Sequence, residues 1–122
     1  MRVAAILPAY NEAERIGNLL TVLKDIDLID EVIVVSDGST DNTYEVASQD
    51  GVVRVIDLKK NLGKAGALKV GVDNTEAEVL LFLDADLVGL THYHIEQLLN
   101  PVLNKNVEMT VGTFRHGRYW TD

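Results

Sequence analysis

The sequence predicts an α/β fold, with a Rossmann-like, mostly parallel sheet flanked by helices on both faces. Strand-like and helix-like segments alternate along the chain, and the strand-like segments are continuous apolar runs, as in sheets covered on both faces. Polar clusters follow the ends of four of these runs, where a parallel sheet binds its ligands. The length of 122 residues suits a single domain, residues 1–122.

The strands are predicted from short apolar runs that are bounded by polar or turn-forming residues. The clearest runs are Val-Ile-Val-Val at residues 32–35 and Val-Leu-Leu-Phe-Leu at residues 79–83. In chain order, the predicted strands are residues 3–7, 31–36, 52–58, 79–83 and 107–113.

The helices are predicted from apolar residues at helical spacing and from capping residues. Asn11 is the expected N-cap of the first helix, with Glu14 at the capping-box position three residues later. Asp41 and Thr91 are the expected N-caps of the second and fourth helices. The predicted helices are residues 11–24, 41–49, 63–72 and 91–103.

The composition argues against several classes of function. A formal net charge of −8 disfavours nucleic-acid binding, which relies mainly on Lys and Arg. The chain has no cysteine, so it has neither a disulfide framework nor a thiolate metal site. No apolar stretch approaches the roughly 18 residues of a membrane span, and the apolar N-terminal segment is too short for a signal peptide. We therefore expect a cytoplasmic protein without a membrane span.

Asp84 and Asp86 are the strongest single indication of function. They follow the apolar run of residues 79–83, and an unpaired carboxylate is costly to bury, so both should face something that needs them. Hard cations such as Mg2+ take one or two carboxylates while substrate phosphates complete the shell. In an extended chain, both side chains would point to the same side. The pair predicts a divalent cation that holds a phosphorylated ligand; the alternative for either Asp alone is a helix cap or turn former.

Two further clusters follow other predicted strands. A tight turn and a cap explain most of residues 37–41, but Asp37 at the strand tip can accept hydrogen bonds from a ribose hydroxyl or a base N–H. Lys64 lies among small residues at a predicted helix start, where backbone amides favour anions, and it can add a point charge to a phosphate. The alternative for Lys64 is a solvated surface lysine. The spacing is not that of a Walker A loop.

The last residues combine basic and aromatic side chains. Arg115 and Arg118 could hold a carboxylate or a phosphate, and an ordinary surface tail is the alternative. His92 and His94 lack the spaced partners of a zinc site and are expected to be ordinary exposed residues.

Together these clusters resemble the donor-binding half of a family 2-type glycosyltransferase with the GT-A fold. Four segments carry the resemblance, namely residues 7–12 (LPAYNE), 35–41 (VSDGSTD), 61–67 (NLGKAGA) and 82–86 (FLDAD). The resemblance implies a hexosyltransferase that uses a nucleotide-diphosphate sugar, most often a UDP-sugar, with Mg2+ or Mn2+ as cofactor. The implied donor-binding residues are Pro8, Ala9, Tyr10, Glu12, Asp37, Lys64 and Asp84, and the implied metal ligands are Asp86 and Asp84. By motif position, Asp86 would bind the metal directly and Asp84 would lie nearer the ribose.

Residues 112–121 are similar to the acceptor loop of glucosyl-3-phosphoglycerate synthases and related enzymes. That similarity implies that Arg115, Arg118 and Thr121 bind an anionic acceptor. Polyprenol-phosphate sugar transferases share the first four segments equally well, so both acceptor classes stay open. Family members usually continue well beyond this length, and the later part supplies acceptor contacts and, in inverting members, the general base. We therefore assign no catalytic residue within the chain. We expect a donor-binding domain that is truncated relative to a full-length glycosyltransferase, with the general base beyond Asp122.

Two other functions fit part of the same pattern. A non-catalytic nucleotide-sugar-binding fragment or assembly domain would bind the donor without transferring the sugar. A sugar-nucleotidyltransferase would share the architecture and the metal, but it needs a glycine-rich loop after the first strand, where this chain has PAYNE at residues 8–12. An exposed sheet edge would favour association into a homo-oligomer.

Overall fold

The computed structural model describes residues 1–87 and 89–104, together with the backbone of residues 112–115 and 118–121. Strands and helices alternate in these ranges, as the sequence predicts. In chain order they are β1 (Val3–Ala9), α1 (Ala13–Lys24), β2 (Glu31–Asp37), α2 (Thr43–Ser48), β3 (Arg54–Leu58), α3 (Gly63–Asp73), β4 (Val79–Phe82), α4 (His92–Asn104), β5 (Gly112–Arg115) and β6 (Arg118–Thr121).

The first four strands form one parallel sheet in the order β3-β2-β1-β4. At the centre of the sheet, Ile6 of β1 pairs in register with Ile33 of β2 and with Phe82 of β4. The chain moves outward from β1 through β2 to β3 and then crosses back to place β4 on the other side of β1. This reversal is a topological switch point, which opens a crevice between the loops that follow β1 and β4.

Helices cover both faces of the sheet, which confirms the predicted α/β layering. The odd-numbered residues of β1 join the larger apolar cluster with α1, α2 and α4, where Leu7, Ile16 and Leu99 are almost fully buried. On the other face, Ala67 of α3 packs with Ile33 and Val35 of β2. Full burial of each large aliphatic side chain contributes about 1.5–3 kcal/mol, so these two clusters hold the strand ends in a defined arrangement.

The predicted strands match the parallel sheet to within two residues at each end. The predicted fifth strand is different, because most of residues 107–113 lie outside the described residues. The described strand there is β5, which pairs antiparallel with β6 in a separate two-stranded sheet. None of the described helices is both long enough and apolar enough to cross a membrane.

The predicted cap of the first helix is wrong. The N-cap of α1 is Glu12, whose carbonyl accepts hydrogen bonds from the amides of Arg15 and Ile16 at 3.0 and 2.9 Å. Asn11 instead has a positive φ of 54°, and its amide donates to Ser39 Oγ. With Glu12 as the N-cap, Glu14 stands at the second helical position and not at the third, where a capping box requires it.

The other two predicted caps have different outcomes. The N-cap of α2 is Asn42, one residue after the predicted Asp41. The Asp41 carboxylate still accepts a hydrogen bond from the amide of Thr43, the first residue of α2, and its other oxygen accepts one from the amide of Ala13 in α1. Thr91 is confirmed at the start of α4, where its Oγ1 accepts a hydrogen bond from the amide of His94 at 3.3 Å.

Candidate functional site

A cavity of about 400 Å³ opens at the carboxyl ends of the parallel strands. It collects every residue that was predicted to bind the donor or the metal, although those residues come from four separate segments. The lining residues are Pro8, Ala9, Tyr10, Glu12, Asp37, Asn61, Gly63, Lys64, Asp84, Ala85 and Asp86.

The loop after β1 is held in place by the loop after β2. Asn11 Oδ1 accepts hydrogen bonds from the backbone amides of Thr40 and Asp41 at 2.8 and 3.2 Å. In return, the amide of Glu12 donates to Thr43 Oγ1 at 2.9 Å. Residues 40–43 therefore hold the first loop in place, and Tyr10 lies half-exposed on the cavity wall.

Asp37 is a buried carboxylate at the tip of β2, with only 4% of its surface exposed. Its Oδ1 accepts a hydrogen bond from the amide of Leu62 at 2.7 Å, and its carbonyl accepts one from Asn61 Nδ2 at 3.1 Å. These bonds join the loop after β2 to the loop after β3. Because Asp37 also lines the cavity, it is positioned both to support the wall and to face a ligand.

Asp84 and Asp86 lie on one side of the chain, with Ala85 between them buried at 3% exposure. The β-ladder continues one residue past β4 because the Leu83 amide donates to the carbonyl of Ile6 at 3.1 Å. A turn then begins, closed by the bond from the Leu87 amide to the Asp84 carbonyl. Both carboxylates are exposed and line the same cavity.

Lys64 stands in the first turn of α3 and forms an ion pair with Asp84. The two side chains are 62% and 50% exposed, so water competes for both. The N-terminus of α3 also reaches the cavity at Gly63. Thus the cavity carries an ammonium group and a helix N-terminus, both of which favour anions.

Arg15 is a residue near the site that the sequence reasoning did not single out. Its Nη1 donates to Glu12 Oε2 at 2.9 Å. This hydrogen bond and the charge of Glu12 raise the pKa of the Arg15 guanidinium above its usual value, and the more distant Asp86 adds a smaller increase. The i, i+3 spacing of Glu12 and Arg15 was the available signal. Asn61, which belongs to the third motif but was given no role of its own, also lines the cavity.

The charges of the cavity suit a divalent cation. Four carboxylates, those of Glu12, Asp37, Asp84 and Asp86, line it with one ammonium, that of Lys64. Among the described residues, no group of three His, Cys, Asp or Glu side chains could hold a metal ion. A pair of carboxylates fits Mg2+ or Mn2+ when the oxygens of a phosphorylated ligand complete the coordination.

The residues predicted to bind the acceptor are described by their backbone only. The backbone positions of Arg115, Arg118 and Thr121 belong to the β5–β6 hairpin, where Arg115 pairs with Arg118 and Gly112 pairs with Thr121. Their side chains lie outside the described residues.

His94 takes part in the start of α4, where its Nδ1 accepts a hydrogen bond from the Thr91 amide.

Known proteins share both the sequence and the fold. The family model described as "Glycosyl transferase family 2" matches residues 4–120. Human dolichyl-phosphate beta-glucosyltransferase is 36% identical over 118 residues, which cover 84% of this chain and 36% of the human protein. Glucosyl-3-phosphoglycerate synthase of Mycolicibacterium smegmatis is 30% identical over 123 residues, covering 93% of this chain and 40% of that protein. The chain thus spans well under half the length of these curated relatives.

Solved structures agree with this assignment. Glucosyl-3-phosphoglycerate synthase from Mycobacterium tuberculosis, in complex with Mn2+, UDP-glucose and glycerol 3-phosphate, superposes with a TM-score of 0.81 at 29% identity, covering 96% of this chain and 45% of that one. Its complex with Mn2+, UDP and glucosyl-3-phosphoglycerate superposes with a TM-score of 0.75, also at 29% identity, covering 84% of this chain and 40% of that one. The fold is that of the GT-A glycosyltransferases, and the chain belongs to glycosyl transferase family 2.

Proposed function

We propose that residues 1–122 form the donor-binding domain of a metal-dependent hexosyltransferase that takes its sugar from a UDP-sugar. The observation that carries the proposal is the meeting of Asp37, Lys64, Asp84 and Asp86 in one cavity at the topological switch point. The structural neighbours that were crystallised with UDP or UDP-glucose and Mn2+ support this donor class and a divalent metal.

The nucleoside would occupy the wall formed by the loops after β1 and β2. Tyr10 offers an exposed aromatic face beside Pro8 and Ala9, and a base can stack on such a face. Asp37 uses one carboxylate oxygen for the Leu62 amide, so its other oxygen would accept from a ribose hydroxyl or a base N–H. Glu12 is kept in place on the same wall by Arg15 and by the Thr43 hydroxyl.

The diphosphate would lie between α3 and the turn after β4. Asp86, with Asp84 beside it, would hold Mg2+ or Mn2+, and Lys64 would donate to a phosphate oxygen. When bound, the cation acts as a Lewis acid that neutralises the diphosphate leaving group and orients it. Electrostatics supports the proposed cation, because four carboxylates and one lysine line the cavity and a bound cation would reduce their repulsion of the diphosphate.

The acceptor would be a phosphorylated molecule, either phosphoglycerate-like or a polyprenol phosphate. Both classes are represented among the relatives, as glucosyl-3-phosphoglycerate synthase and as dolichyl-phosphate beta-glucosyltransferase. Arg115, Arg118 and Thr121 are the proposed acceptor residues, because guanidinium groups bind phosphates and carboxylates with two parallel hydrogen bonds.

Calorimetry of UDP binding tests the donor and metal site. Mn2+ should strengthen UDP binding at least about ten-fold, and Asp86→Asn should remove most of that gain, since a contact to a charged group contributes about 1.5–3 kcal/mol. Asp27→Asn is the matched control, because it makes the same charge change on an exposed residue before β2, at the opposite end of the sheet. Equal Mn2+ dependence in Asp86→Asn and Asp27→Asn would refute the role of Asp86.

A transfer assay tests the acceptor and separates an enzyme from a binding fragment. The chain is incubated with Mn2+, radiolabelled UDP-glucose and either 3-phosphoglycerate or a polyprenyl phosphate. Label in a water-soluble product would favour the first acceptor, and label extracted into organic solvent would favour the second. Donor binding without transfer to either acceptor would support the non-catalytic reading for these 122 residues.

A further inference from the structure

The ion pair between Lys64 and Asp84 joins two groups for which the proposed function requires other partners. Lys64 belongs to α3 and Asp84 follows β4, so the pair connects two walls of the cavity. In the donor complex, however, Lys64 should face a phosphate, and Asp84 should face the cation or the ribose. Each group therefore has to leave its present partner when the ligands bind.

We propose that Lys64 exchanges partners and thereby couples the binding of the cation to the binding of the diphosphate. In the ligand-free protein, its ammonium group neutralises Asp84. A cation held by Asp86 and Asp84 would repel this ammonium group, which would then turn to the diphosphate. Lys64 would consequently oppose the cation when it binds alone and favour the nucleotide once the cation is bound. This inference rests on the proposed function and adds to it the order in which Lys64 contacts Asp84 and then the diphosphate.

The exposure of the two side chains suits such an exchange. At 62% and 50% exposure, an ion pair changes an equilibrium constant by at most about five-fold, so it opens at little cost. The lysine side chain is long and flexible, and it can change partners without a backbone movement.

The other groups of the cavity are less free to make this exchange. Asp37 already accepts a hydrogen bond from the Leu62 amide, and Glu12 already accepts one from Arg15. Arg15 Nη1 donates a hydrogen bond to Glu12 at 2.9 Å, whereas Asp86 only adds a smaller electrostatic contribution that raises the pKa of Arg15. Lys64 is the ammonium group among the described lining residues that contacts a proposed metal ligand directly.

The test compares Lys64→Gln with Lys69→Gln. Lys69 lies on the same helix, is exposed, and forms an i, i+4 ion pair with Asp73, so its substitution makes the same charge change outside the cavity. Mn2+ binding without nucleotide is measured by electron paramagnetic resonance of the free ion. UDP binding at saturating Mn2+ is measured by calorimetry.

The expected effects of Lys64→Gln have opposite signs. Mn2+ alone should bind about three- to ten-fold more tightly at low salt, because a neighbouring positive charge is removed, and the gain should shrink as salt screens that charge. UDP at saturating Mn2+ should bind about ten-fold more weakly, because a charge-assisted hydrogen bond is lost. Lys64→Arg should restore both values towards those of the unsubstituted chain, and Lys69→Gln should change neither.

The outcomes separate this inference from the proposed function. If the unsubstituted chain shows Mn2+-dependent UDP binding but Lys64→Gln leaves the affinity for Mn2+ alone unchanged or lower, the partner exchange is refuted and the proposed function stands. If the unsubstituted chain binds neither Mn2+ nor UDP, the proposed function is refuted and the exchange with it.

Discussion

Replacing Gly38 by alanine should destabilise the protein and disturb two walls of the cavity. Gly38 has a φ of +69°, and a Cβ atom built there would lie 2.6 Å from the amide nitrogen of Asn61 and 2.9 Å from the carbonyl carbon of Lys60. Both neighbours are backbone atoms, so the overlap cannot be relieved by a side-chain rotation. The loops after β2 and β3 would have to move apart.

The expected cost has two parts. A non-glycine residue at this φ costs about 1 kcal/mol, and relief of the overlap costs about 1–3 kcal/mol more, so the free energy of unfolding should fall by about 2–4 kcal/mol. Gly51 provides the control, because its φ is +79° and nothing lies within 4 Å of its Cβ position. Gly51→Ala should therefore cost only about 1 kcal/mol.

Urea unfolding followed by far-UV circular dichroism measures both variants. In the folded fraction of Gly38→Ala, UDP affinity should also fall, because the displaced segment carries the hydrogen bonds that Asp37 accepts from Asn61 and Leu62. Gly51→Ala should retain its UDP affinity. If the two variants lose the same stability to within about 0.5 kcal/mol, the close approach at Gly38 is not a significant constraint and the reasoning fails.

Two further predictions concern the bonds between the first two loops. Asn11→Gly should lower the free energy of unfolding by about 1 kcal/mol, because it removes the side chain that accepts from Thr40 and Asp41 but tolerates the positive φ. Asn11→Ala should lower it by about 1 kcal/mol more, because alanine does not tolerate that φ. Equal urea midpoints for the two variants would contradict the role of φ. The Thr43 hydroxyl, followed by backbone amides, holds the pKa of Asp41 below its usual 3.8. This contribution to stability is present above pH 3.8 and is lost as the pH falls through the lower folded pKa, so the stability difference between the unsubstituted chain and Asp41→Asn should shrink as the pH falls from 6 to 2.5. A difference that stays constant over this range would exclude the linkage.

The order of strands and helices was predictable because buried positions must be apolar, and their spacing in the sequence shows which element they belong to. A strand covered on both faces must be apolar at every position, and the run at residues 32–35 has that property. Helix starts were less predictable. Asn11 and Asp41 are good capping residues by type, but Asn11 binds the loop after β2 and one Asp41 oxygen binds the amide of Ala13 in α1, and these long-range bonds do not show in a local pattern.

The site was predictable as a set of residues and not as an arrangement. Each motif follows a strand, and parallel strands end at the same edge, so the sequence alone placed Pro8, Asp37, Lys64 and Asp84 near one another. It did not show that Lys64 pairs with Asp84, or that Arg15 holds Glu12. The roles of these residues in binding remain predictions.

The sequence by itself determined the α/β class, the order of strands and helices along the chain, and the family, because these depend on local periodicity and on short motifs. The tertiary structure alone decided which polar groups bond to one another across the loops. Those bonds link residues far apart in the chain, such as Asn11 with Thr40 and Asp37 with Leu62. Asp84 and Asp86 illustrate both parts, since their spacing is local, whereas the lysine that neutralises one of them comes from another wall of the cavity.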